Sequence, residues 1–337
     1  MTKLRYGILG TGNIAHQFAA GVFASTAPGS GATRSTITAA ASRSAQKSQA
    51  FCEQYNIEHA LDSYQALIDL PSETCDAVYN ALPNNLHAEW TIKALEAGKH
   101  VLCEKPIAMD AAEAETMFNA ARANGRTLVE AFMYRTHPQT IAALDAIRGG
   151  AIGQVKLVRT SFCFNARNPQ GNTRFVRELG GGALMDIGCY CVDLAMLVAH
   201  ANPTGGGAIE AIQAAGRLTD AGVDVAASGV LTFTNGIAST FDCAMDAQAS
   251  NLAQICGTEG YIDIPVPWKP PEVGARWSQR GMTPPKQDTP PGSKHLGGEE
   301  AGGPYVREYT TNAGQALYAL EADAFARVAL DGEPAFV

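Results

Sequence analysis

A glycine-rich turn between the first apolar strand and the first helix limits the folds open to this chain. Residues 6–9 form a short apolar run, Gly10-Thr11-Gly12-Asn13-Ile14-Ala15 follows directly, and helical spacing continues over 14–24. In a G-x-G-x-x-A turn the first glycine permits a tight bend, the second lets the backbone approach a pyrophosphate, and the alanine lets helix and strand pack closely. The helix N-terminus supplies N–H donors to the phosphates. Strand, turn and helix together predict a dinucleotide-binding unit.

Strand and helix patterns continue to alternate up to residue 129. A helix is predicted over 44–55, and another begins at Asp110, with Glu113 at the spacing of a capping box. Further strands are predicted over 36–41, 77–82, 100–103 and 127–129. Such alternation predicts a parallel sheet covered by helices on both faces.

The pattern changes near residue 150, where strands follow one another. Strands are predicted over 155–164 and repeatedly over 209–264, with Asn235-Gly236 as a strong hairpin signal. This half therefore predicts an antiparallel sheet. The stretch 265–304 is rich in Pro and Gly and poor in periodicity, so we expect a long surface excursion, ordered or not, and assign it no secondary structure. Helical spacing returns over 314–331.

Charge and composition exclude several classes of protein. The net charge is -8 and no cluster of Lys and Arg is present, so neither nucleic acid nor an anionic membrane is an expected partner. No stretch reaches the length expected of a membrane span, and the N-terminus lacks the apolar segment of a signal peptide. We expect a cytoplasmic protein whose eight cysteines are reduced. Cys189 and Cys191 lack a second pair at zinc-like spacing, so no metal is assigned.

The end of the second strand indicates which nucleotide is bound. NAD sites usually place Asp or Glu there to hold the ribose 2′-OH. This chain has Ala41-Ser42-Arg43-Ser44 instead. Arg43 could pair with a 2′-phosphate and Ser42 could donate to it, although Arg43 could also be a solvated loop cation. We therefore expect NADP in preference to NAD.

Two further segments carry residues suited to catalysis. Glu104-Lys105-Pro106 follows a strand, at the carboxyl end where ligands lie in open α/β sheets. The alternative is a surface lysine beside a loop proline. The glycines at 180–182 would let backbone approach closely, as the start of a ligand-facing helix needs.

The helix predicted after those glycines has two distinct faces. Helical spacing places Asp186, Tyr190 and Asp193 on one face. The alternative makes Tyr190 a packing residue and Asp186 an acid favoured by the helix dipole. The opposite, apolar face is predicted to comprise Leu184, Ile187, Cys191, Leu194 and Val198.

Together these motifs resemble the glucose–fructose oxidoreductase / inositol dehydrogenase (Gfo/Idh/MocA) family. The resemblance rests on the glycine turn, Pro83-Asn84-Asn85-Leu86-His87, Glu104-Lys105-Pro106 and Asp186-x-x-x-Tyr190. Residues 130–138 and 180–192 are most similar to the branch of dimeric dihydrodiol dehydrogenases and NADP-dependent D-xylose dehydrogenases.

The resemblance implies α/β plus α+β architecture. Residues 1–133 would form a Rossmann domain, a doubly wound parallel sheet that binds NADP. Residues 134–337 would form an open antiparallel sheet that binds substrate and makes a homodimer or higher homo-oligomer, with a C-terminal helix returning toward the first domain.

The resemblance also implies that Lys105 and Tyr190 are the catalytic pair, with Asp186 beside them. A phenol is a poor base at neutral pH because its ordinary pKa is about 10, and a nearby ammonium stabilises the phenolate. Tyr190 could then take the hydroxyl proton as hydride leaves the same carbon for the nicotinamide. Asp186 would bond the substrate or orient the pair. The residues expected around the cofactor are Gly10, Thr11, Gly12, Asn13, Ile14, Ser42, Arg43, Leu82, Pro83, Asn84, His87, Glu104, Lys105 and Pro106.

Several other polar and aromatic residues allow two interpretations. His87 is expected to cap a helix or line the cofactor site rather than to transfer a proton. Arg135 and His137 could contact a polyol or tie the domains together. Asn80 departs from the aliphatic residue that the family often has. Phe162, Phe164 and Trp268 could stack on a sugar ring, although aromatic residues in a sheet are more often core.

The expected function is hydride transfer between NADP and a C–OH group of a sugar or cyclic diol. An aldose such as D-xylose is the first choice of substrate, ahead of a trans-dihydrodiol and then an anhydro- or keto-sugar. A different class is a non-catalytic NADP-binding sensor or partner protein, which should lack the lysine or the tyrosine. An enzyme of glycosidase or lyase type that recycles its hydride is a third alternative.

Overall fold

Two compact units make up the chain. The computed structural model describes residues 2–24, 31–168, 170–281, 293–295 and 305–335. The first unit comprises residues 1–136, 178–180 and 314–337, and the second comprises 137–177 and 181–313. The C-terminal segment thus belongs to the first unit.

Six parallel strands form the sheet of the first unit, in the order β3-β2-β1-β4-β5-β6. This order confirms the predicted doubly wound sheet. The strands are β1 (Leu4–Leu9), β2 (Ser35–Ala41), β3 (His59–Leu61), β4 (Ala77–Asn80), β5 (His100–Glu104) and β6 (Leu128–Ala131).

Helices cover both faces of this sheet. Ser44, Ser63 and Asp110 each accept a backbone N–H at the start of α2, α3 and α5, so the predicted cap at Asp110 is confirmed. The C-terminal helix packs on the first helix and adds Phe325 to the core around Tyr6 and Phe18. The helices are α1 (Asn13–Val22), α2 (Ala45–Tyr55), α3 (Tyr64–Ile68), α4 (His87–Glu96), α5 (Ala111–Ala123) and α8 (Leu317–Asp331).

The second unit contains a sheet of nine strands in the order β14-β15-β13-β12-β11-β7-β10-β9-β8. Neighbours pair antiparallel except β7 and β10, which are parallel, so the sheet is mixed and mostly antiparallel. Asn235-Gly236 joins β9 to β10 as predicted, with Gly236 at φ 82°. The strands are β7 (Val155–Cys163), β8 (Ile209–Leu218), β9 (Asp224–Phe233), β10 (Ala238–Ala244), β11 (Leu252–Gly257), β12 (Gly260–Ile264), β13 (Ala275–Gly281), β14 (Ser293–His295) and β15 (Tyr305–Thr311).

The prediction of no secondary structure over 265–304 was wrong. β13 and β14 fall inside that stretch, and residues 282–292 and 296–304 lie outside the described part of the chain. In β13 alternate residues are buried, and Trp277 stacks on Tyr309 with ring centroids 4.1 Å apart. Cross-strand aromatic packing therefore stabilises β13, which the Pro and Gly content of the surrounding sequence did not predict.

Two helices, α6 (Pro138–Arg148) and α7 (Cys189–Ala201), pack on one face of the second sheet. A π-helical turn, Leu184–Gly188, precedes α7. The π turn changes the angular spacing of the residues along the helix. As a result Leu184 is 41% exposed and does not lie on the predicted apolar face. The other four residues predicted for that face are buried.

The expectation that no stretch is long enough for a membrane span was also wrong. Arg177–Ala201 is long and apolar enough by length and composition, but 67% of its apolar window is buried inside the protein. Burial of this kind is that of a core helix.

Candidate functional site

The glycine turn has the geometry that a dinucleotide needs. Gly10 has φ 89°, a conformation that glycine adopts without steric cost, and its N–H donates to the Ala41 carbonyl at 2.9 Å. A Cβ atom at Gly12 would meet nothing within 4 Å, so space is open beside the turn. No side chain caps α1, unlike α2, α3 and α5. The N–H groups at the start of α1 are therefore available to phosphate oxygens.

The residues expected at a 2′-phosphate lie beside this turn, because Gly10 bonds the last residue of β2. Ser42 is 8% exposed and its Oγ accepts the Ser44 N–H at 3.3 Å, which leaves its hydroxyl proton to donate. Arg43 is exposed. The first unit thus brings the glycine turn, Ser42 and Arg43 together.

His87 joins the two loops that follow β4 and β5. Its side chain is fully buried, and its ring nitrogens lie 2.9 Å from the Leu82 carbonyl and 2.8 Å from the Pro106 carbonyl. Burial lowers the pKa of this imidazole. The neutral ring has one N–H, which donates to one of these carbonyls, and its other nitrogen also faces backbone. Neither nitrogen is open to a substrate, which favours a structural role in shaping the loops over proton transfer.

Asn80 and Asn84 also shape the loop after β4. The buried Asn80 amide donates to the His87 carbonyl at 3.2 Å and to Thr91 Oγ1 at 3.1 Å, and its oxygen accepts the Leu82 N–H at 3.3 Å. An aliphatic residue there could not make these bonds. Asn84 donates to the Gly180 carbonyl at 2.9 Å.

Glu104 and Lys105 stand at the carboxyl end of β5, where the sequence predicted them. Glu104 is buried, and the Tyr79 hydroxyl donates to its Oε1. Its Oε2 accepts the Lys105 N–H at 3.2 Å, and the peptide bond between Lys105 and Pro106 is cis. Burial, followed by the charge of Glu104, raises the pKa of Tyr79 far above its ordinary range, so Tyr79 is a proton donor to Glu104.

In the second unit, two of the glycines that precede the π turn and α7, Gly181 and Gly182, lie close to the backbone of Arg174. Gly182 donates to the Arg174 carbonyl at 2.9 Å, and a Cβ at Gly181 would lie 2.5 Å from that oxygen. Asp224 closes the other side, because its Oδ2 accepts the Leu184 N–H at 2.7 Å. The close approach that the glycines were predicted to permit is therefore made by the chain itself.

Asp186 forms an ion pair that the sequence did not indicate. Its Oδ2 lies 2.5 Å from the Arg174 Nε, and the Arg174 guanidinium carbon lies 5.9 Å from the Phe164 ring centroid. The two partners are twelve positions apart, across two short 3-10 turns and the start of the π-helical turn, so no single helix or strand period could have paired them.

Tyr190 lies in an aromatic cluster. Its ring meets Phe162 edge-on with centroids 5.3 Å apart and Trp268 at 5.9 Å, while Phe162 and Trp268 stack at 5.7 Å. Trp268 is 2% exposed and donates from Nε1 to the Ser161 carbonyl at 2.8 Å. Trp268 therefore packs against Tyr190 and is not exposed for stacking on a sugar.

His137 has a structural role at the start of α6. Its Nδ1 accepts the Gln139 N–H at 3.1 Å and its Nε2 lies 3.2 Å from the Pro271 carbonyl. Burial lowers the pKa of this imidazole to about 4, so the neutral ring can accept at Nδ1 and donate at Nε2. The guanidinium of Arg135 lies over the Phe132 ring at 5.0 Å.

Comparison with family models identifies both parts of the chain. Residues 4–132 match the model described as an oxidoreductase family with an NAD-binding Rossmann fold. Residues 140–263 match the GFO/IDH/MocA C-terminal domain.

Curated proteins and solved structures also resemble this chain. D-xylose 1-dehydrogenase (NADP(+)) 2 of Haloferax volcanii is 34% identical over 77% of this chain and 75% of its own length. Trans-1,2-dihydrobenzene-1,2-diol dehydrogenase of Danio rerio is 36% identical over 78% of this chain and 74% of its own length. A 3-ketoreductase from Actinomadura kijaniata, solved with TDP-benzene and NADP, has 29% identity and a TM-score of 0.80 over 98% of this chain and 91% of that one. That ketoreductase was solved with one tyrosine replaced by phenylalanine, and also with one lysine replaced by alanine or glutamate.

Proposed function

This chain belongs to the Gfo/Idh/MocA oxidoreductase family, and from that premise we propose that it is an NADP-dependent dehydrogenase. It transfers a hydride between the nicotinamide and a C–OH group of a sugar or cyclic diol. The observation that carries the proposal is the open, uncapped start of α1 beside Ser42 and Arg43, which suits a dinucleotide with a 2′-phosphate. The NADP named with two of the relatives supports the same cofactor.

An aldose such as D-xylose is the first substrate proposed, and a trans-dihydrodiol is the second. A relative with each activity is 34% and 36% identical to this chain over 75% and 74% of its own length, respectively. Both substrates present a secondary or anomeric hydroxyl, so one proton acceptor serves either.

Lys105 and Tyr190 are the proposed catalytic residues. The Lys105 ammonium stabilises the phenolate form of Tyr190, and this phenolate then accepts the proton of the reacting hydroxyl and becomes a neutral phenol. Phe162 and Trp268 fix the ring of Tyr190 from two sides, which limits the geometries that its hydroxyl can adopt. Asp186 is proposed to hydrogen-bond the substrate or to orient Lys105 and Tyr190. NADP supplies the hydride acceptor when it is bound.

The proposed environment is the cytoplasm and the proposed assembly is a homodimer formed through the second sheet. All eight cysteines are free thiols, as a reducing compartment maintains them, and a thiol count on the purified protein tests this.

The test is steady-state oxidation of D-xylose and of a trans-dihydrodiol, followed by the absorbance of NADPH. Lys105→Met and Tyr190→Phe should each lower kcat by about 100-fold or more, because each removes a group from the proton-transfer step. The dissociation constant of NADP should change little. Lys93→Met and Tyr261→Phe are matched controls in the same two units, and should keep full activity. Retention of more than about a tenth of the activity by either catalytic variant would count against the proposal.

A further inference from the structure

The Arg174 side chain is only partly used by the protein. A guanidinium carries five N–H donors, and Nε donates to Asp186. Within the described part of the chain, no residue accepts from the terminal nitrogens of Arg174. The side chain is 46% exposed, so these donors face solvent.

The backbone holds Arg174 in place. Its carbonyl accepts the Gly182 N–H, and its own N–H donates to Asn172 Oδ1 at 3.1 Å. Any side chain at Gly181 would collide with that carbonyl. Asp186 fixes one edge of the guanidinium and the Phe164 ring lies under its face.

Two separate elements place this guanidinium near Tyr190. Phe162 and Phe164 are two residues apart in extended chain. Their side chains therefore point to the same face, and their Cα atoms are about 7 Å apart. Phe162 contacts Tyr190 while Phe164 lies under Arg174. Asp186, which holds Arg174, lies in the π turn four residues before Tyr190, which is in the first turn of α7.

We infer that Arg174 recognises the hydroxyl group next to the reacting carbon and so restricts the substrates to uncharged vicinal diols. This inference rests on the proposed role of Tyr190. While Tyr190 takes the proton from one hydroxyl, the terminal N–H groups of Arg174 donate to the oxygen of its neighbour. The Asp186 carboxylate balances the charge of Arg174 and repels an anionic group, so a neutral polyol fits better than a sugar phosphate. Sugars and trans-dihydrodiols share such paired hydroxyls.

The experiment compares substrates that differ by the neighbouring hydroxyl alone. The pairs are trans-cyclohexane-1,2-diol with cyclohexanol, and D-xylose with its 2-deoxy analogue. For each pair the ratio of kcat/KM is measured in the wild type, in Arg174→Met and in Arg174→Lys. The wild type should prefer the diol, and Arg174→Met should reduce the ratio by about 10- to 100-fold, because a charge-assisted hydrogen bond is lost. Arg174→Lys should fall between them, since it keeps the charge and loses the planar fork.

Arg167→Met is the matched control, because Arg167 is an exposed arginine in the same irregular segment. It should keep the wild-type ratio. Equal losses on both members of a pair in Arg174→Met would overturn the inference, since a purely structural residue affects both alike. A wild type without preference for the diol would overturn it too. If no substrate is oxidised, the proposed function fails separately, and the same ratio is then taken from dissociation constants measured by calorimetry on the NADPH-saturated protein.

Discussion

Arg43 and Ser42 contribute differently to nucleotide selectivity. Ser42 is nearly buried and already accepts a backbone N–H, so it can offer a single hydroxyl proton. Arg43 is exposed, and no described residue pairs with its guanidinium. A 2′-phosphate can take two charge-assisted hydrogen bonds from such a group, whereas a ribose hydroxyl offers no charge to pair. Discrimination between NADP and NAD should therefore depend on Arg43.

Arg43→Ala should raise the dissociation constant of NADP by about 10- to 100-fold and that of NAD by less than about 3-fold. Titration of protein fluorescence with each nucleotide measures both constants. Lys47→Ala is the control, since Lys47 is an exposed cation on the first turn of α2. Equal weakening of NAD and NADP in Arg43→Ala would refute the 2′-phosphate assignment.

At the scale of an element, α8 carries two buried carboxyl groups with opposite surroundings. Asp323 accepts four hydrogen bonds of 2.7–3.0 Å, from the Thr33 N–H and hydroxyl, the Arg34 N–H and the Gln315 amide. Glu321 is fully buried, and both of its oxygens lack a hydrogen-bond partner among the described residues. Burial, and then the charge of Glu104, raises the pKa of Glu321 far above its ordinary value. Folding therefore favours the protonated form of Glu321, which the unfolded chain gives up at lower pH.

The raised pKa of Glu321 predicts how the free energy of unfolding depends on pH. Above the ordinary glutamate pKa of about 4.3, the unfolded chain releases a proton that folded Glu321 retains. The free energy of unfolding should therefore fall as pH rises, by about 1.4 kcal/mol per unit from this group, until the folded pKa is reached. Glu321→Gln should remove that slope between about pH 5 and pH 8 in urea denaturation.

Asp323→Asn provides the contrast on the same helix. It replaces a fully bonded acceptor and should lower the free energy of unfolding by about 1–3 kcal/mol. An unchanged slope in Glu321→Gln would mean that Glu321 is ionised in the folded protein.

At the scale of the whole molecule, the sequence predicted elements whose pattern is periodic and missed contacts between distant segments. The strand–helix alternation up to residue 129 and the Asn235-Gly236 hairpin were correct, because each rests on local spacing. β13 was missed because its stability comes from Trp277 against Tyr309, 32 residues later in the chain. The ion pair between Arg174 and Asp186 was missed for the same reason. The π turn that exposes Leu184 was missed because the hydrophobic spacing of residues 184–198 fits a regular α-helix.

The second sheet has a face and an edge that no described element covers. α6 and α7 pack on one face, while Val230 and Leu252 are 39% and 37% exposed on the other. Strand register places both on that face, because Val230 pairs with Thr240 and Leu252 pairs with Ser161. All residues of the edge strand β8 after Ile209 are exposed. Exposed apolar sheet of this kind favours association, and the proposed homodimer would cover it with the same face of a second copy across a two-fold axis.

Replacing both residues, Val230→Asp with Leu252→Asp, should therefore convert the proposed homodimer to a monomer. Two carboxylates buried opposite their copies across a two-fold axis would be desolvated and would repel each other. Sedimentation equilibrium over a range of concentrations measures the change, and Val273→Asp, at an apolar residue that is 70% exposed outside the sheet, is the control that should stay dimeric. A wild type that sediments as a monomer, or a double variant that still dimerises, would exclude this face as the interface. Since the substituted side chains point away from α7, the monomer should keep the aromatic packing of Tyr190, and its NADP affinity should match that of the wild type.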